Sequence, residues 1–92
     1  MTEKEIREVI ADAMNYAAVP GFKGSANETG FLAGTAEVPF SEVDLDSLAA
    51  MEVCISIETN VGISILPAEL EQIGSLGGLV RRVMQNGAAG NA

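Results

Sequence analysis

Three segments of the chain repeat apolar residues at helical spacing, and this pattern restricts the fold more than any other feature of the sequence. Apolar residues three and four positions apart share one face of an α-helix, and that face must be buried against other elements. Because 92 residues suffice for one domain, the pattern predicts a small all-α bundle. The three repeats are Ile6, Val9, Ile10, Ala13, Met14 and Ala17; Ala50, Val53, Cys54, Ile57 and Val61; and Leu76, Leu79, Val80 and Val83.

Capping residues give the expected helix boundaries. Thr2 and Glu5 have the spacing of a capping box, and Pro20-Gly21 should end the first helix. Asp46 or Ser47 can be the N-cap of a second helix, expected at 47–61. The later elements should be a short helix opened by Pro67 and running from Ala68 to Ile73, and a last helix capped by Ser75.

The segment 19–45 has neither helical nor strand periodicity for long, and four glycines interrupt it. It is therefore predicted to be a long first loop, in which a short helical turn can occur. A loop of this length should be functional or held against the core. Its apolar residues are the expected anchors, namely Phe22, Phe31, Leu32, Phe40 and Val43. Residues 1–86 are predicted to form the domain, and residues 87–92 to form a frayed tail.

The composition excludes several classes of function. The net charge of −8 opposes binding to nucleic acid and to anionic membranes, and it favours partners with basic surfaces. The chain contains no His, so no imidazole is available as a general base or metal ligand, and no metal site is predicted. One cysteine, Cys54, suits a reducing compartment. Without a signal-peptide pattern or an apolar run of about 18 residues, the chain is expected to be cytoplasmic and not inserted in a membrane.

Ser47 has a favourable setting for a negatively charged modification. It stands at the start of the most apolar helix, where free N–H groups and the helix dipole favour a phosphate. Asp44 and Asp46 oppose such a charge unless they meet a metal ion or basic groups of a modifying enzyme. An ordinary N-cap is the alternative interpretation of Asp46-Ser47, and these residues alone do not decide between the two.

The second helix carries more apolar surface than a small bundle needs to bury. Besides the repeat that contains Val53 and Ile57, it has a second apolar stripe, formed by Leu48, Met51 and Ile55. This stripe is either further core or a surface for partners. Because the first stripe already supplies a core face, partner docking is the favoured role for Met51.

The motifs around Ser47 and after it resemble those of the acyl carrier protein family. The resemblance covers residues 43–83 without a gap. It rests on Asp46-Ser47-Leu48, then Met51-Glu52-Val53 and Ile57-Glu58, then Ile63, Ile65 and Pro67, and finally Ile73-Gly74-Ser75-Leu76.

The resemblance implies a four-helix bundle with a long first loop and a short third helix. It implies that Ser47 receives 4'-phosphopantetheine from coenzyme A through a phosphopantetheinyl transferase, with Asp46 and Leu48 as the flanking recognition motif. The terminal thiol would carry an acyl group as a thioester, so Cys54 is not expected to be the working thiol. Such a carrier is not an enzyme. It would dock on loading and transferring enzymes through Leu48, Met51, Glu52, Ile55 and Glu58.

Some positions depart from the family pattern. Leu45 stands where many members have a small residue, the second helix carries only two acidic residues, and the first loop looks long. These departures favour a stand-alone carrier of a specialised polyketide, peptide or lipid pathway over a carrier of general fatty acid biosynthesis. The carrier is expected to be a monomer. An aminoacyl or peptidyl carrier and an unmodified helical interaction module remain the alternatives.

Overall fold

A computed structural model describes the backbone of residues 2–91 and the side chains of residues 2–85. Over these residues the chain has helices and no strand, which confirms the all-α prediction. The predicted division at residue 86 stays a prediction, and the side chains of 86–92 lie outside the described residues. The elements are α1 (Glu3–Tyr16), α2 (Ala26–Ala33), a 3-10 turn (Phe40–Glu42), α3 (Ser47–Val61), α4 (Pro67–Ile73) and α5 (Leu76–Asn91).

The core lies where α1 packs against α3, α5 and α2, while α4 closes the bundle against α3 and α5. Helices α1, α3 and α5 supply the apolar faces that their repeats predict, and the free Cys54 is buried as a small apolar residue. Burial of this aliphatic surface is the main force that holds the short helices together. The largest fully buried side chains include Ile10, Met14, Phe22, Phe31, Ile57, Leu70, Leu76 and Leu79.

The long first loop contains a helix that the sequence did not predict. Helix α2 begins after Ser25, whose hydroxyl accepts a hydrogen bond from the Glu28 N–H (3.2 Å), and it ends at Gly34 with φ +79°. Its one buried residue is Phe31. A two-turn helix that buries a single side chain leaves no apolar repeat in the sequence, which is why the loop prediction missed it.

Most of the expected anchors of this segment do reach the core. Phe22 and Phe31 are fully buried and meet edge to face with 6.3 Å between ring centroids, and Val43 is buried. Phe40 is half-buried. The prediction was wrong for Leu32, which is 39% exposed because it lines a surface hollow beside Glu8 and Asp12 of α1 and does not enter the core.

Backbone hydrogen bonds tie the end of the first loop to the junction of α4 and α5. The Phe40 N–H donates to the Gly74 carbonyl (3.0 Å), and the Leu76 N–H donates to the Val38 carbonyl (3.0 Å). The Glu37 carboxylate accepts bonds from the Ser75 hydroxyl (2.8 Å) and the Arg81 guanidinium (2.6 Å). These bonds fix the 3-10 turn beside α4.

Candidate functional site

The start of α3 presents Ser47 at the surface. Asp46 is the N-cap, and its Oδ1 accepts a hydrogen bond from the Ala49 N–H at 2.8 Å. Ser47 is the first residue of the helix and is exposed. Its hydroxyl therefore stands where the positive end of the helix dipole would stabilise a negatively charged substituent.

The chain before α3 is held in place, so Ser47 projects from a defined support. Val43 is buried. Its N–H donates a hydrogen bond to the Phe40 carbonyl (3.3 Å), which closes the 3-10 turn. The Asp44 N–H donates to the Pro20 carbonyl (3.4 Å), which joins this support to the end of the α1 connection. Ser47 is thus positioned by core packing on one side and by a cap on the other.

A groove of about 570 Å³ opens beside Ser47, between the start of α3, the 3-10 turn and α4. Its walls are partly apolar and partly polar, and two carboxyl groups, those of Asp46 and Glu71, stand along it. Sequence reasoning found Asp46 and Ser47 but missed most of the other walls, because tertiary packing alone brings α4 to this place. The lining residues are Phe40, Ser41, Leu45, Asp46, Ser47, Ala50, Pro67, Ala68, Leu70, Glu71 and Gly74.

The surroundings of Ser47 are acidic. Glu42, Asp44 and Asp46 precede it in the chain and are exposed, and Glu71 faces the groove from α4. The five basic residues lie elsewhere in the sequence: Lys4, Arg7, Lys23, Arg81 and Arg82. The three arginines are paired with Glu3, Glu37 and Glu69, respectively. An enzyme that reaches Ser47 therefore meets a negatively charged surface.

The structure places the predicted docking residues along one side of α3. Leu48, Met51 and Ile55 are 65%, 50% and 54% exposed, so they are not core residues. Glu52 is half-buried and Glu58 is exposed. The residues of the first stripe, Val53 and Ile57 among them, face the opposite way into the bundle.

Cys54 is poorly suited to react as a thiolate. Burial among apolar side chains raises the pKa of its thiol, and the nearby negative charge of Glu69 raises it further. Among the residues that the structure describes, no group of three or more His, Cys, Asp or Glu side chains could hold a metal ion. None of the described helices is long and apolar enough to cross a membrane.

Comparison with known protein families matches residues 26–83 to the phosphopantetheine attachment site family. The match covers more than half of the chain, from the start of α2 into α5, and includes the whole groove. The chain belongs to this family. No curated protein and no solved structure gives a significant match.

Membership makes the chain a phosphopantetheine-carrying carrier protein, in which 4'-phosphopantetheine is the covalently attached cofactor. Proteins of this family are modified by a phosphopantetheinyl transferase, interact with acyl-handling enzymes and are generally not catalytic themselves. The residues present fit such a group. An exposed hydroxyl stands at a helix N-terminus, and an open groove whose walls are partly apolar lies beside it.

Proposed function

We propose that Ser47 is the residue that carries 4'-phosphopantetheine, with Asp46 and Leu48 as the flanking residues that the transferase recognises. The observation that supports this proposal most strongly is the exposed Ser47 hydroxyl at the start of α3, on the edge of the groove. The bond formed would be a phosphodiester at Ser47 Oγ, and the bond broken would be the pyrophosphate linkage of coenzyme A. The hydroxyl proton would pass to a base of the transferase, and adenosine 3',5'-bisphosphate would be the leaving group.

The bound group supplies a thiol, which holds an acyl group as a thioester. The chain's own residues present that arm. Asp46 caps the helix and so fixes the backbone at Ser47, while Phe40, Leu45 and Leu70 provide apolar wall against which the arm can lie out of water. In this proposal the protein is a monomeric cytoplasmic carrier that delivers acyl groups and catalyses nothing itself.

The attachment site is tested by intact mass. Purified protein is incubated with coenzyme A and a broad-specificity phosphopantetheinyl transferase, and one added arm is expected. Ser47→Ala should gain no mass. Ser41→Ala is the matched control, because Ser41 also lines the groove but lies outside α3, and this variant should gain the arm as the wild type does. Loading of Ser47→Ala would refute the assignment.

The same experiment separates the carrier from an unmodified helical interaction module. If the wild-type protein gains no mass while the transferase loads a known carrier, the module becomes the better interpretation. Loading of the arm-bearing protein with acyl and with aminoacyl donors then distinguishes an acyl carrier from an aminoacyl or peptidyl carrier. An acyl cargo is our proposal.

We further propose that Leu48, Met51, Glu52, Ile55 and Glu58 form the surface on which partner enzymes dock. The exposure of the three apolar residues supports it, since apolar side chains grouped on one face are typical of interaction sites. An apolar face of this kind suits dedicated partners, as in polyketide, peptide or modified-lipid synthesis. Met51→Glu should weaken loading by a cognate enzyme and leave the helical circular dichroism unchanged; loss of the fold instead would make Met51 a structural residue.

A further inference from the structure

A second hollow, of about 390 Å³, lies between α1 and the C-terminal half of α3, away from Ser47. Tyr16 forms one wall and Ile55 the other. Tyr16 is 77% exposed, so most of its ring lies outside the core. The polar residues around these two are Asp12, Ser56, Thr59 and Asn60.

This hollow continues the exposed apolar face of α3 onto α1. Ile55 belongs to both, since it lines the hollow and follows Leu48 and Met51 along the helix. Seven large apolar side chains are exposed among the described residues, and four of them lie on this face: Tyr16, Leu48, Met51 and Ile55. Isolated exposed apolar residues need no explanation, but these four are grouped, and two of them, Tyr16 and Ile55, line the hollow, which points to a partner.

The hollow is within reach of an enzyme that acts on Ser47. Ile55 follows Ser47 by eight residues, which corresponds to roughly 12 Å along α3. A typical protein–protein interface buries about 800 Å² on each partner, and a round patch of that area extends roughly 16 Å from its centre. An enzyme seated over the first turns of α3 would therefore cover Ile55, which lines the hollow together with Tyr16.

The charges around the hollow indicate the chemistry of the partner. Asp12 lines it, Glu8 is exposed one turn earlier on α1, and Glu52 and Glu58 lie on α3. The basic residue on this side of α1 is Lys4, two turns before Asp12. A second copy of the chain would bring another net charge of −8 to this acidic rim, so self-association is opposed.

We propose that the hollow between Tyr16 and Ile55 is a second contact for the phosphopantetheinyl transferase. The transferase would insert one apolar side chain there and place Lys or Arg residues opposite Asp12 and Glu52. This inference rests on the proposed modification of Ser47 and adds α1 to the surface that the transferase recognises. Tyr16 is then a residue that determines affinity, and it takes no part in the transfer step.

The test is steady-state kinetics of arm transfer, with the apo-protein as varied substrate. Tyr16→Ala should raise KM by about fivefold to tenfold, as expected for loss of an aromatic contact, and change kcat less than twofold. Tyr16→Phe keeps the ring and should restore the wild-type KM. Met84→Ala removes another exposed apolar side chain, on α5, and should change neither constant.

A second variant adds a charge in place of removing a contact. Thr59→Lys brings an ammonium group into the hollow at an exposed position and should raise KM by repelling the basic partner. Thermal melting followed by circular dichroism checks that each variant is folded. A wild-type KM for folded Tyr16→Ala and Thr59→Lys, or an equal rise for Met84→Ala, would overturn the proposal.

Light scattering tests whether a second copy of the chain, and not the transferase, occupies the hollow. A wild-type dimer that Tyr16→Ala converts to a monomer would make the hollow a contact between two copies and refute the transferase assignment. Failure of the underlying function gives a different result, because the wild type would then gain no arm at any concentration or Ser47→Ala would still gain one.

Discussion

Ala18 has a backbone conformation that is usually left to glycine. Its φ is +54°, and it follows the C-cap of α1. The Val19 N–H donates to the Met14 carbonyl (3.1 Å) and the Ala18 N–H to the Asn15 carbonyl (3.0 Å), which is the Schellman pattern of helix ends. Val19 and Met14 are both buried, as that motif prefers. The hydrogen bonds and apolar contact of the motif thus hold an alanine in the left-handed region.

We expect Ala18→Gly to stabilise the protein. A left-handed alanine costs roughly 1–2 kcal/mol, and glycine avoids this cost but loses about 0.5–1 kcal/mol through the greater freedom of the unfolded chain. The net gain should be about 0.5–1 kcal/mol in the free energy of unfolding by urea. Ala17→Gly is the control. Ala17 has φ −75°, so glycine relieves no strain there and this variant should be less stable than the wild type. A destabilised Ala18→Gly would contradict this account of the turn.

Asp46 combines a structural and a proposed recognition role, which two substitutions can separate. Asp46→Ala removes the acceptor for the Ala49 N–H and should cost about 1 kcal/mol of stability. Asp46→Asn keeps an acceptor oxygen without the charge, so its stability should stay near that of the wild type. Slow arm transfer to a stable Asp46→Asn would show that the transferase reads the carboxylate; a normal rate would mean that Asp46 acts through the cap alone.

At the scale of elements, the Glu37 carboxylate connects the first loop to α5. Its hydrogen bonds from Arg81 and Ser75 hold the pKa of Glu37 below the ordinary value of 4.5. A carboxyl group with a lowered pKa in the folded state stabilises the protein above pH 4.5, and this contribution is lost as the pH falls through the folded pKa. The connection should therefore weaken in acid.

The expected result is that Glu37→Gln melts at a lower temperature than the wild type at pH 7, and that the difference shrinks below about pH 4.5. Glu8→Gln controls for the loss of one negative charge from an acidic chain, because Glu8 is also exposed on the surface. The two variants must be compared at each pH. A melting difference for Glu37→Gln that persists unchanged at pH 3 would show that the carboxylate charge is not what stabilises the connection.

The elements differ in how far the sequence predicts them. The Thr2 capping box, α3 over 47–61 and Pro67 in the first turn of α4 follow from local signals, and the structure confirms all three. Helix α2 has capping residues, Ser25 with Glu28 at its start and Gly34 at its end, but no apolar repeat. Its contacts with the rest of the chain are made by the buried Phe31 and by Arg7, which donates to the Phe31 carbonyl (3.0 Å). Contacts between distant segments of the chain leave no periodic pattern.

The residues of the candidate site also differ in how far the sequence predicts them. Ser47 and its flanking residues form a contiguous motif, so the sequence predicts them, whereas Glu71 and Phe40 approach Ser47 only through the packing of α4 and the 3-10 turn. The sequence does not point to Tyr16, the residue of the proposed second contact, for a related reason. It lies at the end of α1, apart from the motif, and only the pairing of α1 with α3 brings it beside Ile55.

At the scale of the whole molecule, the charge of −8 lowers the stability of the folded state and favours docking of basic partners. Thirteen acidic residues share a chain of 92 residues with five basic ones, and three of the basic side chains are held in ion pairs. Repulsion among the remaining carboxylates therefore destabilises the compact state. The same field attracts a basic transferase and should speed its association.

Salt should consequently have opposite effects on stability and on docking. The screening length falls from about 10 Å at 0.1 M to about 3 Å at 1 M ionic strength, so salt weakens both the internal repulsion and the attraction between partners. Raising NaCl from 0.05 to about 0.5 M should raise the melting temperature, and it should raise the KM of arm transfer several-fold with kcat little changed.

Reactions of the same transferase with free coenzyme A and a neutral carrier peptide give the control for salt effects on the enzyme itself. A KM that is insensitive to salt would show that apolar contacts alone hold the transferase on α3, and a melting temperature that falls with salt would show that the ion pairs outweigh the repulsion.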